Sequence, residues 1–383
     1  MIRKFKIDGK KVRKIDVAIL VTSITLCLFG ILNIYLATKG DTYSTPYLFS
    51  KKQLIWFLIS LVALYLMISF DYRRILNYVP IAYGISIILL LLVWVPKIGV
   101  KVNGATGWIN LGICKLQPAE IAKFTLILML AKLIDEFDGN INNFKNFRML
   151  LFYAALPMLL ILIQKDMGMT MVCFFIVLGI IFIAGLNSRI IIGGFLTVSV
   201  SILILWNFNL ILPHQKSRIM EFMSSEQDVS GNGYQLNKGV IGVGAGGLVG
   251  TKLSLDPSVS PGYTGSYVPE VLTDFIFTAV AEQWGFLGAI FVLILYGVLI
   301  VKILSLSRKA RDIFGSLICV GMASYILFAV IQNIGMTIGL LPITGITLPL
   351  LSYGGSSLLT TVMAIGLVLN IGINREKITF YFN

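Results

Sequence analysis

The sequence predicts an all-α polytopic membrane protein with about ten transmembrane helices, both termini cytoplasmic and a large outer loop between the seventh and eighth helices. Three observations predict it. The chain is 57% hydrophobic and only 13% charged over 383 residues, too little charge to cover a soluble protein of that size. Apolar runs recur along the whole length, most of them near the twenty residues that cross a bilayer. Lysines and arginines gather beside alternate helix ends, as positive-inside topology requires. The natural unit is therefore one integral membrane domain, residues 1–383, and the net charge of +13 reflects cytoplasmic loops and anionic lipid, with no nucleic-acid partner.

Residues 1–14 hold seven cations, Arg3, Lys4, Lys6, Lys10, Lys11, Arg13 and Lys14, and are expected in the cytoplasm. The first span, 16–38, is too long for a cleaved signal peptide and is expected to stay as an anchor. Further spans are expected at 53–71, 77–96, 119–134, 149–165, 169–187, 189–212, 273–304, 312–340 and 347–373. The joints on either side of 169–187 are the shortest. Cytoplasmic cations flank the helix ends at Arg73 and Arg74, at Lys302, Arg308, Lys309 and Arg311, and at Arg375 and Lys377. The main extracytoplasmic loop is then 213–272, with a second at 97–118.

The stretch 268–288, VPEVLTDFIFTAVAEQWGFLG, carries Glu270, Asp274 and Glu282 into the mouth of a membrane-length apolar segment. A charge at a bilayer helix centre costs roughly 2.5–3.5 kcal/mol on insertion scales, so such acids belong in a protein interior or a wet cavity. Their spacing puts them on one side of a helix, a strip at which chemistry is expected.

Four further constellations converge on the same predicted side. In GWINLGICKLQPAEIAK, 107–123, Trp108 precedes Gln117, Glu120 and Lys123, and Pro118 suits a helix start. Glu120 and Lys123, three apart, share a face and can equally form a structural ion pair. QKDMG, 164–168, places Asp166 in a turn, where an aspartate is also ordinary. HQKSRIMEF, 214–222, offers Lys216 and Arg218, able to hold a pyrophosphate or simply to snorkel to the interface. LLPITGITLPLLSYGGSS, 340–357, has the prolines and glycines of non-helical backbone and presents Ser356 and Ser357. Such backbone at membrane depth must be buried or line a cavity; a plain helix break is the alternative.

Other chemistries are excluded. Cys27, Cys114, Cys173 and Cys319 are scattered without a CxxC pair, and His214 is the sole histidine, so no zinc site or Ser-His-Asp triad is available. The string GVGAGG at 242–247 follows no strand and has Tyr267 where a dinucleotide site needs an acid, so it is expected to be an outer loop, flexible or tightly packed. No phosphate-binding GxxxxGK[ST] occurs. Two classes remain: a transporter or flippase, and an enzyme acting on an already activated, lipid-linked, phosphate-bearing substrate.

Taken together, WINLG and QPAEIAK at 108–123, DMG at 166–168, GNGYQ at 231–235, and the stretches 268–288 and 339–357 resemble the SEDS family of bacterial cell-envelope proteins, the group of RodA, FtsW and SpoVE. The similarity runs from about residue 16 to 374, and NIGMTIGLLP at 333–342 and the VPE of 268–270 resemble RodA more than FtsW. The resemblance implies ten transmembrane helices in the bacterial cytoplasmic membrane and an outward-facing site that polymerises lipid II into glycan with release of undecaprenyl pyrophosphate. It implies a class B penicillin-binding protein as transpeptidase partner, with other elongation-complex membrane proteins. It marks Asp274 as the essential residue, here expected to be the general base, and Trp108 as functionally sensitive. Gln117, Glu120, Lys123, Asp166, Lys216, Arg218, Glu270, Ser356 and Ser357 are the expected substrate contacts, with Lys123, Lys216 and Arg218 facing the departing pyrophosphate. A divalent cation (Mg or Mn) could share that charge, and no feature of the sequence identifies a cofactor or its ligands. The chain departs from the family at Gly107, commonly Arg, and in NKGVIGVGAGG at 237–247. A lipid II flippase is the alternative function. Elongation and sporulation roles both stay open.

Overall fold

The computed structural model describes residues 14–38, 45, 47–102, 105–112, 115–194, 196–197, 232–251, 264 and 267–375. The helices are α1 (Val17–Thr38), α2 (Tyr47–Ser69), α3 (Val79–Leu92), α4 (Pro118–Glu136), α5 (Phe144–Ile163), α6 (Met167–Ile183), α7 (Asn232–Ala245), α8 (Ile276–Ser307), α9 (Ile313–Thr337) and α10 (Gly355–Ile373). A 3-10 turn, Tyr72–Tyr78, leads into α3. Among the described residues seven helical segments are long and apolar enough to cross a membrane, and α6 is a shorter apolar helix. The polytopic helical membrane fold is as expected. The seventh expected span is helical at 188–194 and 196–197, and the rest of it lies outside the described residues, as do Lys216 and Arg218.

Burial separates the bundle into centre and rim. In α9 and α10, 78% and 83% of the most apolar stretch is buried, against 22–28% in α2, α3 and α5, which therefore form the lipid-facing rim. Helix α4 is central too, with an almost unbroken buried run from Leu126 to Ile134. It packs on α3, α5, α6, α9 and α10, while α2 lies along α10 and α8 along α1 and α9. Close approach depends on small residues, as membrane packing favours: a Cβ on Gly30 of α1 would stand 2.4 Å from the Leu351 carbonyl oxygen.

Three expectations are corrected. The loop at 97–118 is a small antiparallel sheet of β1 (Gly99–Val102), β2 (Ala105–Asn110) and β3 (Lys115–Leu116), with Val100 opposite Trp108 and Ile109 opposite Leu116. The alternation is short and was masked by the neighbouring apolar runs. The expected span from 347 begins only at Gly355; residues 342–348 have no regular structure and 349–353 turn, with Gly345 and Leu350 at φ +74° and +70°. The glycine string is not a loop throughout. Helix α7 runs to Ala245 and packs along α8, and a Cβ on Gly246 would stand 2.0 Å from the Ala281 carbonyl oxygen. Of the two expectations for this segment, tight packing is the one observed.

Candidate active site

Four segments end together at one end of the bundle: the starts of α4, α6 and α10, and the irregular chain before α10. Gln117 is extended, and Pro118 opens α4 at a position where its missing N–H costs nothing. Asp166 caps α6 by accepting from the Met169 N–H (3.0 Å), and its other oxygen lies 3.3 Å from the Gln117 amide nitrogen. Ser356 stands in the first turn of α10, where its hydroxyl accepts from the Gln117 N–H (3.3 Å) and lies 3.5 Å from the Lys115 carbonyl oxygen. Gln117 thus joins three of the four segments.

Between them is a cavity of about 40 Å³, room for a few waters, lined by Gln117, Glu120, Lys123, Asp166, Tyr325 and Gly345 among others. Its floor is a buried ion pair. Lys123 Nζ lies 2.6 Å from Glu120 Oε2, and each side chain is under 5% exposed. The ammonium also sits 3.6 Å from the centre of the Tyr325 ring. The Thr360 hydroxyl is within reach of both Glu120 Oε2 (3.2 Å) and the Ser356 carbonyl oxygen (2.9 Å). Burying two charges is repaid only when geometry and extra hydrogen bonds are good, and here they are.

Asp274 adjoins the cavity wall at Gly345: its Oδ2 stands 3.4 Å from where a Cβ on that glycine would be. Any larger residue at 345 would combine contact with this carboxylate and a left-handed backbone. The half-buried Asp274 lies not in a helix but in the turn 269–275, one residue before the N-cap of α8. That turn is stitched to the irregular chain before α10. Asn333 Nδ2 donates to the carbonyl oxygens of Asp274 (2.8 Å) and Ile346 (2.7 Å), Ser352 Oγ donates to the Thr273 carbonyl (2.6 Å), and the Tyr353 N–H donates to the Leu272 carbonyl (2.8 Å).

The expected acid strip does not form, because the chain is helical only from Ile276. Glu270 accepts from the Thr273 hydroxyl (2.8 Å) within the turn. Glu282, fully buried, accepts from the Thr264 N–H (2.9 Å) and hydroxyl and serves packing. Trp108 lies half-exposed in β2 on the face opposite Gly107, whose Cβ position is 3.9 Å from Asp166 Oδ2; strand alternation turns the tryptophan from that carboxylate. Ser357 is not among the wall residues. Tyr325, Thr360 and Asn333 escaped the sequence argument, whereas Gly345 was expected in non-helical backbone, as found. Each of the three looks like ordinary helix material until its neighbours are known, though Asn333 could have been flagged as a polar residue in a membrane helix. Among the described residues no group of three His, Cys, Asp or Glu comes together to hold a metal ion.

Comparisons with known proteins agree on one family. The family model for FtsW, RodA and SpoVE, described as "Cell cycle protein", matches residues 13–377. Stage V sporulation protein E of Bacillus subtilis is 32% identical over 93% of this chain and 96% of its own length. The peptidoglycan glycosyltransferase MrdB of Escherichia coli is 35% identical over 79% of this chain and 80% of its own. Among solved structures, a chain from a peptidoglycan synthase complex that coordinates polymerization and crosslinking superposes with a TM-score of 0.78, at 27% identity, covering 94% of this chain and 97% of that one.

Proposed function

Because the chain belongs to the FtsW, RodA and SpoVE family of SEDS peptidoglycan glycosyltransferases, we propose that it polymerises lipid II at the outer face of the cytoplasmic membrane, with Asp274 as general base. The observation carrying this is a half-buried carboxylate on a non-helical turn, held by its neighbours' hydrogen bonds against a small polar cavity. Non-helical backbone at membrane depth needs a protein or cavity environment, and this turn has both.

In the proposed reaction the Asp274 carboxylate takes the proton of the acceptor sugar's 4-hydroxyl as its oxygen attacks the anomeric carbon of the donor. The bond from that carbon to the pyrophosphate oxygen breaks, its electron pair leaves with the pyrophosphate, and the centre inverts. Charge growing on the pyrophosphate calls for fixed cations. Lys123 is committed to Glu120 and to the Tyr325 ring, so its role is to hold the cavity floor, and pyrophosphate contact falls to Lys216 and Arg218. Gln117 and Asp166 face the cavity with one donor and one acceptor for sugar hydroxyls. Ser356 sets Gln117, while Trp108, Glu270 and Ser357 act outside the cavity, on the longer substrate.

The basic residues Arg73, Arg74, Arg308, Lys309 and Arg311 lie at the far end from the cavity, which supports an outward-facing site. The solved neighbour from a synthase complex that joins polymerization to crosslinking supports a class B penicillin-binding protein as partner. The RodA-like motifs at 268–270 and 333–342 favour an elongation role.

The test is polymerisation of labelled lipid II by purified protein with its cognate penicillin-binding protein, transpeptidation blocked, comparing wild type with Asp274→Asn. Glycan ladders from wild type and none from a folded variant support the assignment. Ladders of ordinary intensity from Asp274→Asn would remove Asp274 from the chemistry.

A further inference from the structure

Helix α8 is 32 residues long, about 48 Å at 1.5 Å per residue, and a single residue breaks it: Gly285, at φ +64° and ψ −161°. The break lies within the depth of the bundle. The Trp284 indole N–H donates to Asn33 Oδ1 (3.0 Å), and Asn33 stands about 7 Å short of the end of α1 at Thr38. The turn after α7 closes over this break. The Thr251 N–H donates to the Glu282 carbonyl (2.9 Å), the Phe286 N–H to the Gly247 carbonyl (2.9 Å), and the Leu287 N–H to the Leu248 carbonyl (3.2 Å). Three backbone groups at the break, the Glu282 carbonyl and the Phe286 and Leu287 N–H groups, are thereby satisfied without water, as hydrocarbon requires of backbone.

The faces of this element divide sharply. Towards α8 it presents Gly239, Gly242, Gly246 and Gly250, all buried; a Cβ on Gly250 would stand 2.2 Å from the Gln283 carbonyl oxygen. Outward it presents Val240, Ile241, Leu248 and Val249, beside Phe286 and Leu287 of α8, each between 41% and 65% exposed. A contiguous apolar patch of this kind on an aqueous loop would be a liability. It is continuous with Phe291 and Ile294, the exposed lipid-facing residues further along α8. Midway along α7, Lys238 lies 5.4 Å from the rings of both Tyr234 and Tyr267, a basic side chain among the interfacial aromatics found at headgroup level.

We infer that α7 and the turn 246–250 form a re-entrant element whose outward face, Val240, Ile241, Leu248 and Val249, is covered by acyl chains rather than water or a partner protein. The chain between the seventh and eighth spans thus returns into the membrane, entering at Lys238 and reaching its deepest point near Leu248. Because a Cβ on Gly239 would lie 3.2 Å from the Phe275 ring, lipid held against α7 bears on the residue next to Asp274. The inference needs only that the bundle spans a bilayer; it stands whether or not Asp274 is a base.

The test uses full-length protein in nanodiscs with Cys27, Cys114, Cys173 and Cys319 replaced by alanine and one nitroxide at Leu248→Cys, Ile294→Cys or Lys309→Cys. Accessibility to oxygen, which partitions into hydrocarbon, is compared with that to an aqueous nickel chelate. The ratio at 248 should match that at 294 and exceed that at 309 about tenfold, as hydrocarbon excludes the chelate. A ratio at 248 like that at 309 overturns the inference, and so does protection from both reagents, which would mean a protein covers the patch. If the cysteine-free chain does not fold, wild-type protein is photolabelled from a lipid with a diazirine in its acyl chain. Adducts within 240–249 support the inference, and adducts on α8 with none on 240–249 overturn it.

Discussion

The two ends of this bundle differ in what holds their helix starts: capped helices at one, irregular chain tied by side chains at the other. At the basic end each helix start carries its own local cap, to which long-range ties are added from Tyr72 and Arg73 to Asp312 and from Asn370 to the Met67 and Phe70 carbonyls. Asp312 caps α9 by accepting from the Gly315 N–H (2.7 Å), Asn143 caps α5 through the Lys145 N–H (3.0 Å), and Asp71 caps the 3-10 turn through the Arg73 N–H (3.1 Å). At the cavity end the chain closes through long-range contacts: Gln117 to Asp166, Asn333 to Asp274 and Ile346, and Gln53 Nε2 to the Ser352 carbonyl (3.0 Å). Local caps stabilise one helix each and tolerate replacement. A shared amide fixes two segments at once and fails as a unit. At the cavity end such amides hold non-helical chain, the turn of Asp274 included, so substitution there is expected to move a site residue.

The largest effect on the fold should come from the cavity floor. Lys123→Met leaves Glu120 as a buried charge, and removing one partner of such a pair typically costs about 3–5 kcal/mol. Thermal unfolding in detergent should show a large drop for Lys123→Met and for Glu120→Gln, with much of it recovered when both are replaced. Two single losses that simply add would mean the pair is not coupled, and the contrast between the two ends would weaken.

Asn333 sharpens the comparison on activity. Its amide donates to both the Asp274 and Ile346 carbonyls, while its Oδ1 is buried without a partner. Asn333→Ala frees the turn from the irregular chain at Ile346, and misplacing a reacting group by about 1 Å costs on the order of 100-fold. The expected result is a fall in kcat for lipid II polymerisation with little change in KM, at a modest loss of stability. A pure stability defect with wild-type kcat would make Asn333 a packing residue only.

What the sequence made legible follows the same divide. Spans such as α1, α5 and α9 were readable because hydropathy is a sum over twenty residues and ignores their neighbours. Gln117, Glu120, Lys123 and Asp166 were readable as site candidates because polar residues in apolar chain are costly, and the fold brings these four around one cavity. The arrangement of acids around Asp274 was not. Helical periodicity put Glu270 and Glu282 on its face, but the turn 269–275 is held by Asn333 and Ser352, some 60 and 80 residues away, and local pattern cannot register such contacts. Tyr325 was missed for a related reason: a tyrosine among apolar residues becomes a cation partner only once Lys123 is placed over its ring.

The smallest effect is expected at the basic end, where Arg73 Nε lies 2.6 Å from Asp312 Oδ2 and the Tyr72 hydroxyl donates to the same oxygen (2.6 Å). Burial alone would raise the Asp312 carboxyl, but the Tyr72 hydroxyl, the Gly315 N–H and the Arg73 guanidinium outweigh it and hold the group below its ordinary value. A carboxylate depressed in the folded state contributes stability at every pH above its unfolded pKa, about 3.9, and loses it as pH falls through the folded value. The wild type should therefore lose this contribution only below about pH 4. Asp312→Asn keeps a capping oxygen but not the charge. With Arg73 largely solvent-exposed, its neutral-pH cost should be within about 1 kcal/mol, and the difference in melting temperature from wild type should shrink towards acid pH. A difference that instead stays constant from pH 7 to pH 3 would mean that the variant's loss comes from the altered hydrogen bonds at Oδ2 and not from the charge on Asp312.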